Sequence, residues 1–347
     1  MVTYKQIQSS NSLLTSSTIP RVSLFAGGTS GIGKYTLRAL VSASVGHDPI
    51  RVYLVGRESS RPATEEFISS LRLINPNAEI VFLPGEISLL SETKRVCSVV
   101  KSREQSLDLL FLSAGFAPFG NARTETAEGL EVAQSLEYYS RVLFVELLLP
   151  LLSRAGGRVV SVLGGGLERP GSIPDVDDLD LKGSGGKGFM GYKAQTQYVA
   201  MNTLGMEVLA RENRAVTFLH SWPGIVSTGN VWRGVQDKNS ALGWFIWLVV
   251  EPLLRLIGRS EQECGERYLF QCTSGYYGGS AEKTTAWNGK RGESTKGTDE
   301  QEGAGHGLFL VNYKCDCTPN EANMKALREK AQKKVWDHTM QVLGPYM

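Results

Sequence analysis

The chain has 347 residues, 41% of them hydrophobic, which is enough for one large α/β domain with a substantial core. Its 37 lysines and arginines nearly balance 35 acids, and the formal charge of +2 excludes the one-signed field of a nucleic-acid or anionic-membrane binder. Five cysteines, an odd number and sparse in so long a chain, exclude a disulfide scaffold and lead us to expect reduced thiols and a cytoplasmic protein.

Residues 1–20 are polar and serine-rich without an apolar signal core, so they are expected to be a loose lead-in. An apolar run at 22–26 meets the glycine stretch Gly27-Gly28-Thr29-Ser30-Gly31-Ile32-Gly33, and helix-forming residues follow at 34–40. The pattern reads as strand, glycine turn, helix. Gly27 permits a tight exit from the strand, Gly31 a close approach of backbone to phosphate, and Gly33 close packing of helix on sheet. The N–H groups and positive dipole end of the helix then face a pyrophosphate. Gly27, Thr29, Ser30, Gly31, Ile32 and Gly33 are therefore predicted to bind a dinucleotide.

A second strand, 50–55, ends in Gly56-Arg57. An acidic residue here would hold a cofactor lacking the 2′-phosphate, whereas Gly56 leaves room and the Arg57 guanidinium offers donors to a phosphate, which favours NADP(H). Helix 64–73 and strand 79–83 lead to Glu86 and Ile87 at the carboxyl edge of the sheet, where they are expected to flank the adenine. Helix 92–102 precedes the almost unbroken apolar strand 107–112, suited to the middle of a covered sheet. Its exit, Ser113-Ala114-Gly115, is small enough to pass closely under a nucleotide.

A long helical pattern over 126–152 contains Glu137, and a fifth strand at 157–163 ends in three glycines. The stretch 167–191 is aperiodic, and its aspartates lack the spacing of a calcium loop. Cys315-Asp316-Cys317 has no partner pair, so no metal site is expected. Helix 195–211 and strand 216–220 precede Pro223, Gly224 and Val226, and the solitary His220 reads as a hydrogen-bonded structural residue.

Region 232–258 contains an apolar run interrupted by Glu251-Pro252, too short to span a bilayer. A lid over a hydrophobic small-molecule substrate, a subunit contact in a homo-oligomer and a shallow membrane contact remain open for it. A helix at 261–272, a flexible surface loop at 275–307, a late strand at 308–311 and an amphipathic helix over 320–343 complete the chain. Residues 21–347 are thus expected to form one Rossmann-type domain: a doubly wound parallel sheet with helices on both faces, an apolar lid and a C-terminal extension.

In this order the pieces resemble the short-chain dehydrogenase/reductase superfamily over 21–228 and the final strand. Ala26 to Gly33 is similar to the family's threonine-glycine-x3-glycine-x-glycine motif with alanine first, and Ser113-Ala114-Gly115 to its asparagine-alanine-glycine motif with serine first. Pro223-Gly224-Ile225-Val226-Ser227-Thr228 resembles the segment that receives the nicotinamide end of the cofactor. The 175–181 loop is similar to retinol-dehydrogenase-like members. Glu263 to Phe270 and Lys334 to Thr339 resemble a divergent group of filamentous fungi found in secondary-metabolite pathways.

The resemblance implies a tetrad of tyrosine, lysine, serine and asparagine, and the chain departs from it throughout. Alignment places Gln195 at the tyrosine, Val199 at the lysine, Gly164 at the serine and Glu137 at the asparagine. Tyr192, Tyr198 and Lys193 flank Gln195 within two turns and are candidate proton donors, as is Glu137 if burial raises its pKa. Three functions stay open: an NADP(H)-dependent oxidoreductase on a hydrophobic substrate, a redox-silent isomerase or cyclase, and a non-catalytic nucleotide-binding partner protein.

Overall fold

The computed structural model describes residues 1–116, 123–169, 171, 173–183, 190–226, 244, 246–250, 252, 258–296 and 307–347. Seven strands form one parallel sheet: β1 (Val22–Ala26), β2 (Arg51–Gly56), β3 (Glu79–Pro84), β4 (Leu109–Leu112), β5 (Arg158–Val162), β6 (Thr217–Ser221) and β7 (Leu308–Val311). Their order is β3-β2-β1-β4-β5-β6-β7. The chain runs outward one way through β2 and β3, then crosses back beyond β1 to β4. The carboxyl ends of β1 and β4 therefore frame a topological switch point, where an open α/β sheet leaves a crevice for ligand.

Alternation along the strands divides the core between two faces. Phe82, Leu54, Phe25, Phe111, Val160, Leu219 and Phe309 lie in register across the sheet. All but Phe82 are buried on one face, where they meet α1 (Tyr4–Asn11), α2 (Gly31–Ala43), α3 (Arg61–Ile74) and α8 (Glu261–Thr273), counting helices in chain order. The neighbouring residues Leu24, Tyr53, Leu110, Val159, Phe218 and Leu308 point to the other face. There they pack on α4 (Leu90–Arg103), α6 (Ser140–Ala155) and α7 (Met190–Glu212), while the short α5 (Val132–Gln134) joins a smaller cluster with Ala194 and Tyr198. Burial on both faces explains why the strands are apolar at nearly every position.

Two elements correct the reading of the sequence. The segment expected to be a loose lead-in contains α1, closed by a capping box in which Gln6 N–H donates to Thr3 Oγ1 at 3.3 Å and Thr3 N–H to Gln6 Oε1 at 2.9 Å. Ile7 is fully buried, and Tyr4 Oη donates to Glu266 Oε2 at 2.6 Å, which fastens α1 to α8. Its anchors lie more than 250 residues away in sequence, so local polarity hid them. Of the loop expected to be flexible at 275–307, residues 275–296 are tied down. Tyr277 is fully buried and donates to Cys315 O at 2.7 Å, while Tyr276 and Trp287 pack edge to face at 5.0 Å. The aromatic rings supply apolar area that the glycines and charges around them do not suggest.

The C-terminal extension is α9 (Glu321–Leu327), a π turn (Arg328–Gln332) and α10 (Lys333–Leu343). Arg328 forks onto the fully buried Glu207 of α7 at 2.8 and 2.9 Å. His338 of α10 meets both Tyr139 and Asp180, so the helix also fastens part of the 175–181 loop. In the expected lid only 244, 246–250, 252 and 258 fall among the described residues, and Trp244, Trp247 and Leu248 are exposed there. No helix among the described residues is long and apolar enough to cross a membrane.

Candidate active site

The crevice is built from missing side chains. Gly27 has φ +100° and Gly31 φ +56°, conformations that cost an L-residue with a Cβ. A Cβ on Gly27 would strike the backbone of Ala114, and one on Gly33 would come within 2.5 Å of Gly27 O and 2.8 Å of Ser113 Oγ. The exits of β1 and β4 are thereby drawn together. Ser113 N and Ala114 N both donate to Ala26 O, at 2.8 and 3.0 Å, and Ser113 Oγ donates to Gly27 O at 3.1 Å. The first turn of α2 holds no acidic residue, so its positive end is left uncompensated.

The other expected cofactor residues line the same edge with unequal freedom. Arg57 is exposed just past β2, and no hydrogen bond or ion pair holds its guanidinium among the described residues. Arg61 nearby is clamped by Glu58 at 2.5 and 2.9 Å. The space left by Gly56 is taken by the Thr29 methyl, within 2.5 Å of a Cβ there, so that glycine serves the packing of the turn. Glu86 is exposed and accepts from Ser88 Oγ at 3.0 Å, whereas Ile87 is buried in the core. Gly224 has φ +67°, and a Cβ on it would lie 2.8 Å from Tyr313 Cβ. Arg259 fixes this segment by donating to Pro223 O at 3.3 Å, by pairing with Val226 and by lying over the Tyr313 ring at 4.7 Å. Residues 227–228 fall outside the described residues.

The crevice runs on to Glu137. A Cβ on Gly115 would come within 2.7 Å of Glu137 Oε1, and Phe116 N donates to that oxygen at 3.1 Å. Glu137 lies in a π turn, Ser135–Tyr139, between α5 and α6. A π turn displaces side chains from the α-helical register and is frequent at functional sites. Asn202 of α7 donates to the Glu137 carbonyl, and Gln195 Nε2 donates to Glu137 Oε2 at 2.9 Å. Glu137 is buried, and desolvation raises its pKa to about 7 against the opposing pull of Arg141 and the Gln195 hydrogen bond.

Arg141 is itself buried and braces the crevice wall. It donates to Ala114 O at 2.8 Å, Ser161 Oγ at 2.8 Å and Val162 O at 3.0 Å, and burial lowers its pKa to about 10. Behind it, Gly164 N donates to His220 Nε2 at 3.2 Å, which makes Nδ1 the protonated nitrogen and a donor to Thr203 Oγ1 at 2.7 Å. Thr203 passes the bond to Glu168 Oε1 at 2.5 Å. Burial holds His220 neutral, with its pKa near 3.

Glu137, Gln195, Gly164 and Val199 lie together as two matched pairs. Glu137 and Gln195 are hydrogen-bonded. Gly164 and Val199 are in packing contact, for a Cβ on Gly164 would come within 2.5 Å of Val199 Cγ2. The remaining candidates are placed elsewhere. Tyr192 is 59% exposed, and Lys193 is exposed in an ion pair with Asp175 at 3.6 Å. Tyr198 is buried and donates to Glu131 Oε2 at 2.9 Å, so its phenol is engaged and its pKa is pushed far up by burial. Arg141 and Asn202 are neighbours of Glu137 that the sequence reading did not single out. The i,i+4 spacing of Glu137 and Arg141 was the one local signal.

Residues 21–168 match the family of short chain dehydrogenases. An oxidoreductase of Emericella nidulans is 35% identical over 98% of this chain and 97% of its own length. A short-chain dehydrogenase/reductase of Stachybotrys chartarum is 29% identical over 93% of this chain and 91% of its own length. The solved structure of YwfH, an NADPH-dependent reductase involved in bacilysin biosynthesis, is similar with a TM-score of 0.53 at 14% identity, covering 73% of this chain and 91% of that one. With a switch-point crevice framed by glycines and a full-length relative at 35% identity, the chain belongs to the short-chain dehydrogenase/reductase family of oxidoreductases.

Proposed function

We propose that this protein is an NADP(H)-dependent oxidoreductase acting on a hydrophobic small molecule in secondary-metabolite biosynthesis, with Glu137 holding the proton that accompanies the hydride. The observation that carries this reading is the contact between Gly115 and Glu137, which joins the crevice to a buried carboxyl titrating near neutrality. Of the four candidate donors, Glu137 combines a suitable pKa with a place against the crevice.

The residues present fit a dinucleotide. Side chains at Gly27 and Gly33 would fill the cradle, and nothing acidic in the first turn of α2 opposes a pyrophosphate. Gly27, Thr29, Ser30, Gly31, Ile32 and Gly33 would hold the pyrophosphate, Ser113, Ala114 and Gly115 would floor the crevice, and Glu86 and Ile87 would border the adenine. Pro223, Gly224 and Val226 would receive the nicotinamide end, and the unengaged Arg57 would take the 2′-phosphate. When bound, the dinucleotide supplies or accepts a hydride. In reduction the Glu137 carboxyl gives up the proton that the new hydroxyl needs, and in oxidation its carboxylate takes one. The free state of all five cysteines supports a reducing, cytoplasmic setting.

A screen of hydrophobic ketones and aldehydes with NADPH, read by loss of nicotinamide absorbance, tests the proposal. Turnover is expected, and Glu137→Gln should lower kcat by about 100-fold or more while leaving NADPH affinity within about twofold. NADPH that binds and is never consumed would sink it. Product formed regardless of the redox state of the nucleotide would instead identify an isomerase or cyclase.

A further inference from the structure

The π turn that carries Glu137 is held from outside by the C-terminal helix. Glu137, Tyr138 and Tyr139 follow one another in that turn, all three buried, and they face three different neighbours. Glu137 meets the crevice at Gly115, and Tyr138 lies against α7, where a Cβ on Gly205 would come within 3.2 Å of its Oη. Tyr139 reaches Asp180 in the 175–181 loop. Both phenols also meet α10: Tyr138 Oη lies 2.5 Å from Thr339 Oγ1, and Tyr139 Oη lies 3.0 Å from His338 Nε2. We propose that Thr339 and His338 are positioning residues of the active site, fixing through Tyr138 and Tyr139 the turn that presents the Glu137 carboxyl to the crevice. The part Glu137 plays in the reaction rests on the oxidoreductase reading above, but its placement by α10 does not.

The direction of each bond follows from what its partners can do. Thr339 Oγ1 gives its single proton to Val335 O at 2.6 Å, since a carbonyl only accepts, so the Tyr138 phenol is the donor towards Thr339. Asp180 is held ionised, its pKa lowered to about 2 chiefly by the His338 hydrogen bond. As a carboxylate it accepts from Tyr139 Oη at 3.0 Å and from His338 Nε2 at 3.1 Å. His338 Nε2 therefore carries a proton, which it shares with Tyr139 Oη. Each phenol is thus fixed in direction as well as in place, one by α10 alone and the other by α10 together with the loop.

The helix that makes these bonds is itself anchored. Val335, Thr339 and Leu343 form its buried stripe at i, i+4 and i+8, and Arg328 in the π turn before it forks onto Glu207 of α7. A π turn is rare and holds one residue more than an α turn, so its register depends on what surrounds it. Without the phenol bonds the turn is free to slip towards α register, in which side chains step by about 100° per residue. Glu137 is then drawn from Gly115, Phe116 N and Gln195 Nε2. Water reaches the carboxyl, and desolvation, the first cause of its raised pKa, is lost. The charged and titratable groups around Glu137 stay as they are, because Arg141 of α6, Glu131 before α5 and Tyr198 of α7 make no bond to Thr339 or His338.

The test follows the carboxyl directly, by nuclear magnetic resonance of protein labelled with ¹³C at its glutamate carboxyls, the Glu137 signal being the one missing from Glu137→Gln. In the wild type it should titrate near pH 7. In Thr339→Val, and separately in His338→Leu, the midpoint is expected to fall below about 6. On a substrate from the screen above, kcat should fall at least about tenfold while KM for NADPH stays within about twofold. Thr339→Ser keeps the hydroxyl and should restore both. Tyr138→Phe removes the same bond from its other end without leaving a buried phenol unpaired, so it should lower the midpoint too and serves where Thr339→Val is too unstable to study. Val335→Ala loses packing on the same helix but neither bond, and should leave the midpoint at about 7. A midpoint unchanged in Thr339→Val, Tyr138→Phe or His338→Leu, or moved equally by Val335→Ala, overturns the proposal. A midpoint that moves as expected in a protein that never consumes NADPH keeps the positioning and removes the oxidoreductase reading. Turnover with a midpoint that no variant moves does the reverse, so the two fail separately.

Discussion

The two ends of the crevice are made in different ways. Around Gly27, Gly33 and Ala114 the geometry is set by backbone and by side chains that are absent, all within a few residues of β1 and β4. Around Glu137 it is set by contacts between the α5–α6 junction, the segment after β5 and α7, in matched pairs: a hydrogen bond between Glu137 and Gln195, and a packing contact between Gly164 and Val199. A backbone cradle accepts almost no substitution, because only glycine fits its close approaches. A side-chain constellation can be exchanged if partners change together. Glu137 is thus fitted to Gln195 and Gly164 to Val199, so that a change in one calls for a change in its partner.

Breaking the cradle should have the largest effect. Gly33→Val would drive its side chain into Gly27 O and Ser113 Oγ, and NADPH affinity measured by fluorescence titration is expected to fall by at least about 100-fold, close to 3 kcal/mol. Retained affinity would mean that the turn does not hold the nucleotide.

The side-chain end should yield to pH. The folded pKa of Glu137 is raised from the ordinary 4.5 to about 7, so the folded state binds more protons than the unfolded one between these values, and stability falls as pH rises through that window. At about 1.4 kcal/mol per unit the cost above pH 7 is on the order of 3 kcal/mol. Urea unfolding should find Glu137→Gln equal to the wild type near pH 4.5 and about 3 kcal/mol more stable near pH 8. A constant difference across pH would place the charge elsewhere.

Sharpening the packing pair calls for a double-mutant cycle. Gly164→Ala should destabilise by about 2 kcal/mol through overpacking, and Val199→Ala in the same chain should return about 1 kcal/mol of that beyond additivity. Strict additivity would show that the two do not share space. The smallest effect is expected at the exposed rim, where Arg57→Ala should weaken NADPH about tenfold, or about 1.4 kcal/mol, and leave NADH unchanged. Equal losses for both nucleotides would remove its link to the 2′-phosphate.

Legibility in the sequence followed the range of the interactions. The strands could be read because a sheet covered on both faces demands apolar residues throughout, and the glycine turn could be read because its constraints lie between adjacent residues. Helix α1 could not, since Ile7 and Tyr4 find their partners on α8. Nor could the ordered turn at Tyr276 and Tyr277, whose support comes from Phe270, Trp287 and Cys315. Gly56 was legible as a small residue and misread in purpose, because the Thr29 methyl that needs it approaches across the sheet edge.

By itself, the sequence determined the doubly wound sheet, its switch point and the glycine cradle, because hydrophobic periodicity and glycine φ freedom act over a few residues. Tertiary structure alone decided which of the candidate proton donors lies buried against the crevice. Tyr192, Lys193, Tyr198 and Glu137 are equally able on paper, and burial separates them: it exposes the first two, commits the third to Glu131, and desolvates the fourth beside Gln195. Desolvation depends on everything packed around a group, and no local stretch of residues carries it.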